Sequence, residues 1–150
     1  MKGDGTPVTF ADNKAEEAMR ELVMKEFPDH GISDEEFGDL KPEADYRWAL
    51  DTIDGTINYI VGSYLFGRLI SLMHKLRPVL GVVNQPLLSE FLGGTVHKAW
   101  LNGDPVAVRT CGTITDATLL TTYHWDFYRH LNGNAVEKLF RKVNLYRTWG

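Results

Sequence analysis

Between Tyr46 and Arg109 the chain runs through short β-prone segments separated by turn signals, and this succession constrains the fold more than any other feature. Tyr46–Leu50 is a short β-prone run that ends in Asp51-Thr52-Ile53-Asp54-Gly55-Thr56. Leu65–Lys75 is apolar and largely β-prone, and Arg77-Pro78 reads as the turn after it. Val79–Asn84 continues as a strand until Gln85-Pro86. Glu90–Leu92, Val96–Leu101 and Val106–Arg109 follow, separated by Gly93-Gly94 and by Asn102-Gly103-Asp104, a strong hairpin signal. Helices flank this meander. Ala15, Ala18, Met19, Leu22, Val23 and Phe27 recur at helical spacing, Asp12 is placed to cap the helix, and Pro28 ends it. Asn134–Arg141 reads as a second helix, between candidate strands at Thr118–Tyr123 and Val143–Tyr146. Helix, strand-rich meander, helix is an α+β order rather than a regular βαβ alternation, and 150 residues suit one domain.

Composition excludes several function classes. With 16 basic and 20 acidic side chains the net charge is −4, and the isoelectric point near 5.7 argues against nucleic acid as a partner. A disulfide scaffold is impossible with Cys111 alone, which reads as a buried small side chain. The longest apolar stretch, Tyr59–Met73, is interrupted by Arg68 and is too short to span a bilayer, so no membrane association is expected. No signal peptide is visible, and a cytoplasmic location follows as an expectation. The five histidines show no i, i+4 pairing that would suit zinc, and Trp48, Trp100 and Trp125 read as core residues.

The chemistry concentrates in Glu35, Asp51 and Asp54, with Gly55 and Thr56 attached. A strand delivers Asp51 to the edge of a sheet, and the turn after it brings Asp54 back. The backbone carbonyl of Ile53 lies between them in sequence. Two carboxylates and a carbonyl suit a hard divalent cation such as Mg2+. Gly55 permits a tight approach of the backbone, and a helix starting there would offer N–H groups to an anion. Thr56 adds a hydroxyl. Cation, anion hole and hydroxyl together describe a phosphate-ester site, and an acidic protein acting on a phosphate needs cations between the like charges. Taken singly, each element has a plainer reading: Asp-Gly is a common turn, Asp34-Glu35-Glu36 a solvated loop, and Asp12 a helix cap.

Together the segments resemble the inositol monophosphatase family of Mg2+-dependent phosphatases. Thr6-Pro7-Val8-Thr9-Phe10-Ala11-Asp12 is similar to the entry to that family's first site helix. His30-Gly31-Ile32-Ser33-Asp34-Glu35-Glu36-Phe37-Gly38 is similar to its Gly-Glu-Glu loop, and Trp48-Ala49-Leu50-Asp51-Thr52-Ile53-Asp54-Gly55-Thr56 to its Asp-Pro-Ile-Asp-Gly-Thr signature. Phe66–Ile70 and Val79–Pro86 resemble the strands that follow. Within the family the wording is closest to the histidinol-phosphatase branch, through Thr-Pro-Val-Thr before Asp12, His-Gly-Ile before the acidic pair, and Phe66-Gly67 after the signature.

The resemblance implies a layered αβαβα sugar-phosphatase fold, of which this chain is the N-terminal, metal-binding part: one apparently incomplete domain over 1–150. It implies two or three Mg2+ per site. Glu35 would ligate metal and orient the attacking water, Asp51 and Asp54 would bridge two metal positions, and the Ile53 carbonyl would complete the first. Thr56 would hold the water with Asp12 as its partner, Gly55 and Thr56 N–H groups would hold the phosphate, and Glu36 would stand behind the ligands or serve a third metal. The implied activity is hydrolysis of a small phosphorylated metabolite, histidinol phosphate first (a step of histidine biosynthesis), by a homodimer. An inositol or sugar phosphate as substrate and a truncated, non-catalytic homologue stay open as alternatives. Three departures from the family pattern stand out. Thr52 replaces a proline, which suggests a softer loop. Asp34 replaces a glycine, which would be strained if φ there is positive. The family's later Trp-Asp motif does not occur before Arg147-Thr148-Trp149-Gly150, and Trp125-Asp126 lies too early to replace it.

Overall fold

A computed structural model describes residues 10–34, 37–122 and 125–148. It divides into two compact units, one ending at Ala107 and one beginning at Val108.

The first unit opens with helix α1 (Phe10–Glu26). Strands β1 (Gly31–Asp34) and β2 (Tyr46–Asp54) follow, then the short helix α2 (Thr56–Ile60). Strands β3 (Gly67–His74), β4 (Arg77–Gln85), β5 (Glu90–Thr95), β6 (Ala99–Leu101) and β7 (Asp104–Val106) complete it. All seven strands form one sheet in chain order. The β1–β2 pair is parallel, with Ile32 beside Trp48, and every later pair is antiparallel. This is the meander anticipated from the turn signals, with the α+β order intact, except that the last strand lies over Asp104–Val106 and ends where the expected Val106–Arg109 strand would begin.

Two expected breaks do not occur. Arg77 and Pro78 already belong to β4, because Lys75 and Leu76, both at positive φ, make the tight turn before them. Gly93 and Gly94 run inside β5 rather than ending it. The space above Gly93 is taken by the Trp100 indole from the neighbouring strand, whose Nε1 lies 2.5 Å from where a Cβ would stand. The expected Asn102-Gly103 hairpin is present, with φ of 51° and 94° at the two residues. Asn102 also accepts from the Phe91 amide at 2.8 Å and donates to the Ser89 carbonyl at 3.0 Å, which fastens this turn to the one before β5.

α1 lies against β2. Its apolar stripe is present, but Leu22 and Phe27 are 60% and 44% exposed. They border an open groove of about 250 Å³ with Met19, Val23, Trp48 and Ile70. The fully buried face of the helix carries carboxylates instead: Asp12 is 3% and Glu16 1% exposed. Asp12 is a residue of the first helical turn rather than the cap, since the helix already includes Phe10. The buried apolar residues beneath are Ile32, Leu50 and Ile53.

The second unit holds β8 (Thr118–Thr121), α3 (Trp125–His130), α4 (Gly133–Phe140) and β9 (Leu145–Thr148), with β8 and β9 parallel. Asn132 caps α4 by accepting from the Ala135 amide at 3.1 Å. Phe140 stacks on Tyr146 at 4.2 Å between centroids. Trp125 is 54% exposed and Cys111 is exposed, so neither is the core residue expected from sequence. Among the described residues no helix is long and apolar enough to cross a membrane.

The position of β1 depends on one glycine. A Cβ at Gly31 would stand 2.4 Å from the Lys41 carbonyl and 3.0 Å from the Leu40 carbonyl, and backbone hydrogen bonds join Ile32 to Leu40 in both directions at 2.8 Å. Gly31→Ala is expected to cost about 1–3 kcal/mol, because backbone rather than a side chain must give way. Gly81→Ala, where a Cβ meets nothing within 4 Å, should shift stability by less than about 1 kcal/mol. Urea unfolding of the two variants checks the contrast, and equal losses would refute it.

Candidate metal centre

The site is built around an irregularity in β2. Up to Asp51 the strand pairs regularly with β3, Leu50 opposite Ile70 and Asp51 opposite Leu69. The next pair is Asp54 opposite Gly67, so β2 spends one residue more than its partner. On a regular strand, residues three apart face opposite sides of the sheet. The additional residue changes that parity and re-aims side chains, as bulges beside functional sites do. The consequence shows in burial: Thr52 and Ile53 are both buried, at 3% and 8% exposed, while Asp51 is half-buried and Asp54 is exposed.

A bulge gives up ladder hydrogen bonds, and here two threonine hydroxyls hold it. Thr52 Oγ1 donates to the Asp12 carbonyl at 3.2 Å, tying β2 to the first turn of α1. Thr56 Oγ1 donates to the Ile53 carbonyl at 3.1 Å. The Ile53 oxygen keeps a second lone pair, and the Thr56 oxygen, its proton committed, remains an acceptor.

Gly55 joins β2 to α2 at φ 86°, in the left-handed region. A Cβ there would stand 2.9 Å from the Leu65 carbonyl. Asn58 Nδ2 donates to that same carbonyl at 2.8 Å, holding the return of the chain toward β3 against α2.

Glu35 and Glu36 lie outside the described residues, but what flanks them is described. Asp34, at the end of β1, has its carboxylate fully buried against Arg20 of α1. It also accepts from the Phe37 amide at 3.0 Å. Arg20 donates to the Gly38 carbonyl at 3.0 Å, and Glu16 accepts from the Phe37 amide at 3.2 Å. Successive turns of α1 therefore grip the chain on both sides of residues 35–36. The strain foreseen at Asp34 is absent: φ there is not positive, and Asp34 is an ordinary strand residue with a buried ion pair. Nor is Asp34 part of a solvated loop.

Sequence reading passed over Glu16, Arg20 and Asn58. The signal for the first two was present, since Glu16 and Arg20 stand four and eight residues beyond Asp12 and so share its face of the helix. Among the described residues no group of three or more His, Cys, Asp or Glu side chains is arranged to hold a metal ion. The donors present are Asp51, Asp54 and the Ile53 carbonyl, all hard oxygens, and this set fits a small hard cation such as Mg2+.

Arg20 and Asp34 generate a stability prediction. Arg20→Ala leaves a fully buried carboxylate uncompensated and is expected to cost about 3 kcal/mol, while adding Asp34→Asn should recover part of that loss. Chemical unfolding of the single and double variants tests the coupling, and strictly additive losses would refute it.

The sequence profile of the inositol monophosphatase family matches residues 1–150. A chloroplastic bifunctional phosphatase of Arabidopsis thaliana is 41% identical over 145 residues, which is 95% of this chain and 40% of that protein. A histidinol-phosphatase of Chlorobaculum parvum is 35% identical over 99% of this chain and 58% of its own length. The chain thus spans about half the length of the curated relatives it matches. An inositol monophosphatase structure from Zymomonas mobilis superimposes with a TM-score of 0.85 and 38% identity, over 99% of this chain and 57% of that one. With its profile match running the length of the chain and its α1–β2–α2 segment in the same fold, this protein belongs to the inositol monophosphatase family.

Proposed function

We propose that the chain carries the metal and water-activating part of a Mg2+-dependent phosphomonoesterase, with histidinol phosphate as substrate. The observation that carries the reading is the β2 bulge: Asp51 and Asp54 stand on either side of it, the Ile53 carbonyl lies between them, and a left-handed glycine follows at once. In this reading Asp51, Asp54 and the Ile53 carbonyl hold the cation, with Glu35 joining them and Glu36 behind. When bound, Mg2+ would supply the charge that lets a phosphate approach this acidic segment and that stabilises the attacking and leaving oxygens. Thr56 keeps acceptor capacity on its hydroxyl oxygen because its O–H donates to the Ile53 carbonyl, so it can accept a hydrogen bond from a water and leave that water's lone pair toward phosphorus. Asp12 supports that water from the first turn of α1. The amides of Gly55 and Thr56, at a helix start where backbone donors lack internal partners, receive the phosphate oxygens.

The substrate choice leans on the wording before Asp12 and around the acidic pair, and on the histidinol-phosphatase relative at 35% identity. An inositol phosphate is the second reading, favoured by the Zymomonas mobilis structure at 38% identity. The 150-residue chain, incubated with Mg2+ and each phosphate ester in turn, is expected to release inorganic phosphate fastest from histidinol phosphate. Chelation should abolish release. Asp54→Asn should lower it beyond the roughly 10–100-fold that loss of a residue behind the ligands costs. Faster release from inositol phosphate would overturn the substrate assignment. No release from any ester by the folded chain would overturn the catalytic reading and favour a non-catalytic homologue.

A further inference from the structure

We infer that Thr52 is a positioning residue of the candidate centre: its hydroxyl fastens the β2 bulge to the first turn of α1 and thereby sets Asp51, Ile53 and Asp54 relative to Asp12. The inference rests on the metal-centre reading above and assigns a task to a residue which that reading leaves out.

The geometry argues it in three steps. First, the bulge interrupts the pairing of β2 with β3 between Asp51 and Asp54, where the donors lie, so the sheet ladder alone does not define their placement. Second, Thr52 is the bulge residue that reaches out of the sheet. Its hydroxyl is buried and donates across 40 residues of sequence to a backbone carbonyl of α1, an acceptor held in place by the helix. A buried hydroxyl without a partner would be costly, so this bond is kept rather than exchanged with water. Third, the acceptor belongs to Asp12, whose side chain is also buried. The bond thus links the residue proposed to support the water directly to the strand that carries the proposed metal ligands. A proline, the residue expected here from the resemblance, would preset φ but could donate nothing. Threonine reaches the same end by tying the bulge to a second element, so the softer loop expected from the loss of proline is stiffened by a tertiary bond.

The test uses the 150-residue chain and Mn2+, which takes octahedral oxygen sites like those of Mg2+ and reports binding through water-proton relaxation. Thr52→Val keeps the shape and removes the donor; Thr52→Ser keeps the donor and removes the methyl. Thermal unfolding of each metal-free variant identifies temperatures at which it is folded, and the titrations are run there. Thr52→Val is expected to weaken Mn2+ binding about 10-fold or more, the cost of losing a partner behind the ligands. Thr52→Ser should stay within about threefold of the wild type, a rescue that shape and stability alone would not produce. Should Thr52→Val not fold, Thr52→Ala, which needs less room, is read in the same way. Wild-type affinity in the folded Thr52→Val chain, or equal weakening in Thr52→Val and Thr52→Ser, would overturn the inference. A wild-type chain that binds no Mn2+ would instead overturn the metal-centre reading, so the two failures are told apart.

Discussion

The extra residue in β2 is the constraint on which the rest of this site depends. Two carboxylates three positions apart on a regular strand face opposite sides of the sheet, and no choice of neighbours changes that parity. The bulge changes it, at the cost of ladder hydrogen bonds over Thr52 and Ile53. Everything nearby answers that cost. Thr52 binds α1, Thr56 binds the Ile53 carbonyl, and Gly55 turns the chain through a conformation that other residues rarely adopt. Asn58 then holds the returning chain at Leu65.

α1 is the second support, and an unusual one for a surface helix. Its deepest side chains are carboxylates rather than Leu or Met, and burial of a carboxylate is tolerated only where donors meet it. Glu16 receives the Phe37 amide, and Arg20, one turn on, pairs with Asp34 and binds the Gly38 carbonyl. One face of α1 thus reaches both acidic segments, β2 through Thr52 and the 34–38 segment through Glu16 and Arg20. The apolar stripe on the later turns borders an open groove instead. The helix spends its best-buried positions on fixing polar backbone and charge, which favours geometry over hydrophobic stability.

Much of this was legible in the amino-acid order. β-prone runs between turn signals, an Asn-Gly hairpin and helical spacing before Pro28 each act within a few residues, so local chemistry sufficed to place the meander and α1. Turns that depend on backbone sign were less legible. Lys75 and Leu76 carry no turn signature, yet both adopt positive φ, while Arg77-Pro78, which does carry one, is strand. Gly93 read as a break because its reason for being small is the Trp100 indole on another strand. Asp34 read as strained or solvated because its partner Arg20 is 14 residues away, on a different element.

The sequence by itself determined the family, the α+β order and the identity of the candidate donors, because motif spacing and hydrophobic period are properties of neighbouring residues. Only the tertiary structure decided that a bulge lies between Asp51 and Asp54 and what holds that bulge in place. The bulge is a mismatch between two strands, and the Thr52–Asp12, Glu16–Phe37 and Arg20–Asp34 contacts join segments 14 to 40 residues apart. A departure such as threonine for proline reads as a loss on the strand alone. It becomes a support once α1 lies beside that strand and offers an acceptor.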